Sequence, residues 1–378
     1  MKILVSGDFC DDGRVSESIR KGDYASLFSD IKPIVEKYDF SIVNFEFPVV
    51  LSEGNEIKKV GPCLSGHKES VEAICYAGFN VCTLANNHIL DQGGFCCMDT
   101  IRLLHEAGLE TVGAGKNIED AATTLYLRGN GETLAVINCC EHEFTIATEK
   151  RAGANPLNII KQYYRIEEAR KKADYVIVIV HGGHEYYQLP SPRMQETYRF
   201  FIDVGADVVV NHHQHCFSGY EEYRGRYIFY GLGNLLFDDE NQRSGIWTKG
   251  YMLGLDFEGG GQKAFHLYPY IQCGEDASVR LIDGNEQKSF MTKLSELNDI
   301  IANESQLASE YSVWLKDNCT FLPMLFEPWQ GKLMSALYRR GILPTTFGEG
   351  RRLKLTNYIW CESHLDKLRS VFRDYSEG

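Results

Sequence analysis

Three imidazoles in four positions, His212, His213 and His215, follow the mostly apolar run Ala206–Val210. A neutral imidazole offers a lone pair to a cation, so a cluster of this kind at a strand end has the composition of a metal-ligand set. Four other apolar runs also stop at residues able to bind a metal. Ile3–Val5 leads to Asp8, Ile42–Val43 to Glu46, Val81–Ala85 to Asn87, and Val176–Val180 to His181. Open α/β sheets bind ligands beyond the carboxyl ends of their strands.

Asp8 and Glu46 would supply hard oxygen ligands, Asn87 an amide oxygen, and His181, His213 and His215 nitrogens. This mixed set suits one or two divalent ions of Mn, Fe or Zn, whereas Ca prefers oxygen alone. Glu46 could bridge two ions, which would clamp a phosphoryl oxygen and activate water. His88, next to Asn87, could act as general acid or hold a phosphoryl oxygen, with Asp91 orienting its ring. His67, His184, Glu185 and Asn234 are candidates for substrate contact. Cys10, two after Asp8, reads as a buried free thiol, with a soft metal ligand as the alternative. Gly231-Leu232-Gly233-Asn234 reads as a tight turn that lets the backbone approach the site.

These residues need a scaffold of alternating strands and helices. Strands are expected at Ile3–Ser6, Ser41–Glu46, Asn80–Ala85, Leu109–Val112, Tyr175–Val180 and Asp207–Val210, with helices at Tyr24–Tyr38, Lys68–Ala77, Met98–Ala107, Leu157–Ala173 and Gln195–Val204. Asn130-Gly131 marks a hairpin between Thr123–Arg128 and Thr133–Asn138. Four further strands are expected between Tyr220 and Tyr270, and helices over Phe290–Leu307, Leu333–Tyr338 and Tyr358–Tyr375. The change of character divides the chain into a domain over 1–288 and a helical extension over 289–378.

The formal net charge of -13 argues against a nucleic-acid partner, which requires basic patches. No apolar run is long enough for a membrane span. Met1-Lys2 leads directly into a strand without the pattern of a secretory signal, and the 12 cysteines include no C-x-x-C spacing. A reduced, cytoplasmic protein is expected.

An ordered set of motifs carries a resemblance: Ser-Gly-Asp8, Asn44-Phe45-Glu46-Phe47-Pro48, Leu84-Ala85-Asn86-Asn87-His88 with Asp91, His181-Gly182-Gly183-His184-Glu185-Tyr186, His212-His213-Gln214-His215 and Tyr230-Gly231-Leu232-Gly233-Asn234-Leu235. Over roughly residues 1 to 240 the chain resembles the bacterial CapA family of capsule and poly-γ-glutamate synthesis proteins, itself similar to the calcineurin-like metallophosphoesterases. The resemblance implies a four-layer α/β/β/α sandwich with a dinuclear site between the sheets. It implies that Asp8 and His215 hold one ion, that Asn87, His181 and His213 hold the other, and that Glu46 bridges. His88 would match the catalytic histidine. Cys10 stands where the phosphoesterases usually carry histidine, and Gly182 stands where the family commonly has tryptophan, which would open room for a bulkier ligand.

The expected function is a metal-dependent hydrolase of phosphoesterase type in capsule, poly-γ-glutamate or surface-polysaccharide biosynthesis. Its substrate would be phosphorylated or an anionic, polymer-related molecule. The alternatives are a γ-glutamyl amide hydrolase and a non-catalytic metal-binding accessory protein.

Overall fold

The computed structural model describes residues 1–52, 54–318, 325–329 and 331–376. They form two compact units, Met1–Ala308 and Ser309–Gly378.

The first unit is built on two sheets. The larger runs in the order Val279–Leu281, Gly261–Gln272, Lys249–Glu258, Lys2–Phe9, Phe40–Phe45, Val81–Thr83, Glu110–Val112, with Asn234–Leu236 beside the end of Lys2–Phe9. The smaller runs Tyr220–Tyr223, Arg226–Phe229, Val208–His212, Tyr175–His181, Glu132–Cys140, Leu125–Gly129. Central strands of both are parallel. Ile3, Leu4 and Val5, like Val176 to Val180, are wholly buried. Continuous apolar runs are what a strand covered on both faces requires.

Helices Gly13–Arg20, Glu69–Ala77 and Gly93–Glu106 cover the larger sheet, burying Val15, Ile19, Ile74 and Leu104 in one core with Phe9, Phe45 and Phe47. Helices Ile159–Lys172 and Pro192–Val204 pack on the smaller sheet. The inner faces meet. Tyr175 packs on Phe257 with ring centroids 4.7 Å apart, and the Ala85 amide donates to Asn138 Oδ1 at 2.7 Å. The result is the expected four-layer α/β/β/α sandwich.

Local chemistry explains where the elements depart from expectation. The helix expected over Tyr24–Tyr38 is two short helices, Tyr24–Phe28 and Lys32–Val35. Pro33 lacks an N–H and restricts the residue before it, so the second helix must start afresh. The hairpin turn Asn130-Gly131 has positive φ at both residues, 54° and 80°, the signature of a type I′ turn. The helix expected over Phe290–Leu307 is divided into Gly284–Ala302 and Glu304–Asn318 at Asn303. Gly284–Ala302 packs on the sandwich, where Phe290 meets Phe217 at 4.3 Å. The change of character near residue 288 thus falls inside a helix of the first unit, and the units divide after Ala308.

The second unit contains helices Lys332–Arg339, Glu349–Trp360 and Glu362–Ser376. Cys361, in extended backbone, divides the helix expected over Tyr358–Tyr375. No helix of the described residues is long and apolar enough to cross a membrane.

Candidate metal centre

The register of the sheets brings the strand ends together. Asp8 pairs with Asn44 on one side and with Asn234 on the other. His212 pairs with His181 in the smaller sheet. The approach of Lys2–Phe9 to the segment 231–234 is close enough to need glycine. A Cβ on Gly7 would lie 1.8 Å from the Gly233 carbonyl oxygen. The expected tight turn is instead extended chain, with Leu232 in a bridge to Phe217 and Asn234 opening a strand, yet it does bring the backbone in.

Two overlapping groups of ligand atoms result. Glu46, His181 and His213 form one, and Asp8, Glu46 and His215 the other; within each, all ligand atoms lie within 4.8 Å of one another. Glu46 belongs to both. In the first group His181 Nε2 lies 3.4 Å from Glu46 Oε1, 3.1 Å from His213 Nδ1 and 2.9 Å from Asn87 Oδ1. In the second, His215 Nδ1 lies 3.9 Å from Asp8 Oδ2 and 2.9 Å from Asn234 Oδ1. All six expected ligands are buried.

Strand alternation does not aim His213 and His215. The strand ends at His212, and both histidines lie in the following turn with positive φ, 89° and 53°. This backbone conformation is uncommon for residues with a side chain, and such strain concentrates at functional sites. The turn is pinned by the His213 amide, which donates to Asp8 Oδ2 at 3.2 Å.

The electrostatics of the cluster call for a cation. Both carboxylate oxygens of Glu46 are buried without a hydrogen-bond partner. Burial, reinforced by Asp8, pushes the Glu46 carboxyl well above the usual carboxylate range. Burial pushes His181 well below the usual histidine range, and His213 adds to the effect. Burial, with help from His215, lowers His213 to about 3. Neutral imidazoles are the form that binds metal. An orphaned buried carboxylate beside converging lone pairs costs free energy that a divalent cation would offset. The residues therefore fit one or two ions, and their mixed nitrogen and oxygen donors fit Mn, Fe or Zn.

His88 sits at the edge of the cluster. Its turn is fastened by Asn86, whose Nδ2 donates to the Phe45 carbonyl at 2.9 Å and whose Oδ1 accepts from the His88 amide at 3.1 Å. His88 Nδ1 lies 2.6 Å from Asp91 Oδ2. Burial lowers the His88 pKa in spite of that bond, and the charge of Lys59 lowers it further.

A cavity of about 770 Å³ opens over the cluster, with Asn87, His88 and His215 on its wall. Of the four substrate-contact candidates, Glu185 lines it. Asn234 is fully buried in its strand and reaches His215. His67 is turned to Asp11, whose Oδ2 lies 3.0 Å from its Nδ1. His184 is half-buried off the cavity wall. The room expected at Gly182 is filled by Glu141, because a Cβ there would meet Glu141 Cγ at 2.6 Å. Cys10 belongs to the hydrophobic core and to neither ligand group, and its thiol is pushed up by burial. The other described cysteines are free as well.

Sequence reasoning missed several residues. Lys59 Nζ lies 2.6 Å from Asp91 Oδ1 and 3.3 Å from His88 Nδ1, with its side chain 3% exposed. Asn44 Nδ2 donates to Asp8 Oδ1 at 2.7 Å and lies 3.3 Å from His181 Nδ1, linking the two sheets. Trp247 packs on His215 at 4.8 Å, and Glu143 lies 4.0 Å from His213. Asn44 was visible inside its motif. Lys59 and Trp247 sit in loops without periodicity, and nothing local marks them.

The layers and the strand-end cluster define a four-layer α/β/β/α sandwich with a candidate metal centre between its sheets. A family model described as bacterial capsule synthesis protein PGA_cap matches residues 2–239, and the chain belongs to that family. The capsule biosynthesis protein CapA of Bacillus anthracis is 35% identical over 246 residues, 63% of this chain and 60% of that protein. The PGA biosynthesis protein CapA of Bacillus subtilis is 34% identical over 242 residues, 62% of this chain and 64% of that protein. The match therefore spans less than two thirds of either relative. Among solved structures, a hypothetical protein from Thermus thermophilus is similar with a TM-score of 0.47 and 18% identity, over 72% of this chain and 99% of that one.

Proposed function

We propose that this chain is a metal-dependent hydrolase of the phosphoesterase type, acting in capsule or related surface-polymer synthesis. The observation that carries the reading is Glu46, a buried carboxylate without a hydrogen-bond partner, shared by two ligand groups. Asp8 and His215 would hold one divalent ion, Asn87, His181 and His213 the other, and Glu46 both. When bound, such ions supply Lewis acidity toward a phosphoryl oxygen and toward water.

The remaining residues position and protonate. Asn44 steadies Asp8, and Asn234 steadies His215. Asp91 takes up Nδ1 of His88, so that Nε2 of the protonated ring would hold a phosphoryl oxygen or give a proton to the leaving group.

Purified protein loaded with manganese would be assayed on aryl phosphate esters beside His88→Ala. Loss of activity in the variant with its metal retained is the expected result. Equal activity in both, or none in either, overturns the reading. Hydrolysis of a γ-glutamyl amide is the competing reaction, since the Bacillus subtilis relative is described as a PGA biosynthesis protein. Cleavage of γ-linked glutamate oligomers without cleavage of phosphoesters would establish it.

A further inference from the structure

We propose that Tyr186 is a stacking platform for a sugar ring, so that the substrate is a glycosyl phosphate and not a polyanion. The inference rests on the reading that a phosphoryl group binds at the strand-end cluster.

Tyr186 lines the cavity and is 43% exposed, although Tyr187 and His215 beside it are buried. Its ring is braced by Trp247, stacked at 5.8 Å and 25°. Trp247 is itself buried and anchored by Nε1, which donates to the Phe237 carbonyl at 3.0 Å. The Tyr186 backbone is held in the left-handed region, φ 61°, with its amide donating to the Gln214 carbonyl at 2.8 Å. A bulky residue keeps that conformation only where its surroundings impose it. The ring centroid lies 6.4 Å from that of His215. A flat apolar face is thus held rigid next to a candidate metal ligand. It suits the C–H face of a pyranose, or a planar base.

The charge of the wall decides between flat ligands. Asp12, Glu17, Glu143, Glu185, Asp239 and Glu240 line the same cavity. Among the described cations of the wall, Arg14 and Arg243 are engaged with Asp238 and Lys59 with Asp91, which leaves Arg20. Ionised carboxylates accept hydrogen bonds and donate none. A sugar ring brings several hydroxyl donors, and an amino sugar adds a cation. A nucleobase brings few donors. A γ-linked glutamate chain brings further carboxylates, which this wall repels.

The test is binding to the zinc-loaded full chain and to its Tyr186→Ala and Tyr186→Phe variants. Glucosamine 1-phosphate, inorganic phosphate, AMP and a γ-linked glutamate oligomer would be titrated calorimetrically. Methyl glucosaminide would be followed by saturation-transfer NMR. Glucosamine 1-phosphate should bind at least about tenfold tighter than phosphate, a difference readily resolved in Kd. Tyr186→Ala should erase that gain, Tyr186→Phe should keep it, and phosphate itself should bind all three proteins alike. No gain over phosphate, a gain that survives Tyr186→Ala, or tighter binding of AMP or the glutamate oligomer overturns the proposal. If phosphate does not bind at all, the reading of the metal centre fails, and methyl glucosaminide decides separately. Its Tyr186-dependent saturation sustains the platform, and its absence overturns it.

Discussion

Glu46 Oε1 lies 3.4 Å from His181 Nε2, across the gap between the two sheets, in a place where neither carboxylate oxygen of Glu46 finds a hydrogen-bond donor. A buried carboxylate left this way opposes folding unless a cation or a proton compensates it. Glu46 left uncompensated is therefore a site of lowered stability.

Glu46→Gln should separate the two roles. Metal per chain, measured by elemental analysis after gel filtration, should fall to near zero. Thermal unfolding in EDTA should show the variant as stable as the parent chain or more so, because the amide carries no charge to desolvate. His213→Ala should lose metal as well, and lack any gain in EDTA. Unchanged metal content in both variants would remove these residues from the ligand set.

Lys59 and Asp91 form an ion pair with side chains 3% and 0% exposed. Removal of one partner leaves the other charge buried and uncompensated, so Lys59→Met should cost about 3 kcal/mol in denaturant unfolding. Asp91 also accepts from the Leu64 amide and faces His88 Nδ1. The double variant Lys59→Met/Asp91→Asn should therefore be less destabilised than the sum of the single ones. Strict additivity would show that the pair is not coupled.

Metal-free protein should weaken as the pH falls. His213 has a folded pKa of about 3, held down by burial, so the unfolded chain binds its proton first. Its contribution to stability is complete above the unfolded value near 6.5 and is lost as the pH falls toward 3. Between pH 6.5 and 5 the loss from this residue is about 2 kcal/mol. Urea unfolding in EDTA at both pH values should show a smaller drop for His213→Asn than for the parent chain. Equal drops would contradict the depressed pKa.

Gly7→Ala should be among the most damaging single-methyl changes in the chain. The added Cβ would sit 1.8 Å from the Gly233 carbonyl oxygen, on backbone that cannot swing aside as a side chain could. A loss of about 2–4 kcal/mol is expected from forced overpacking. Gly274→Ala, whose nearest neighbour would lie at an ordinary 3.4 Å, serves as the control. Similar unfolding midpoints for the two variants would refute the close approach.

The layered fold and the six candidate ligands were readable because each signal is local. A strand buried on both faces needs an unbroken apolar run, and the polar residue that follows it lies at the carboxyl end of the strand. The helix boundary at Pro33 was also local, and the spacing of apolar residues around it concealed the break. The cavity wall was harder to read. Asn234 and His67 looked available for substrate, yet one is buried against His215 and the other is held by Asp11.

The sequence by itself determined which residues end the strands and hence which chemistry the chain can assemble. Tertiary structure alone decided what those residues meet. Asp8 and His213 are more than two hundred positions apart and belong to different sheets, and only the packing of one sheet on the other joins the His213 amide to the Asp8 carboxylate. The turn that aims His213 and His215, the burial of Lys59 against Asp91, and the seating of Tyr186 on Trp247 all depend on contacts between distant segments. Propensity and periodicity act over a few residues, whereas charge compensation and close packing act only once the chain has folded.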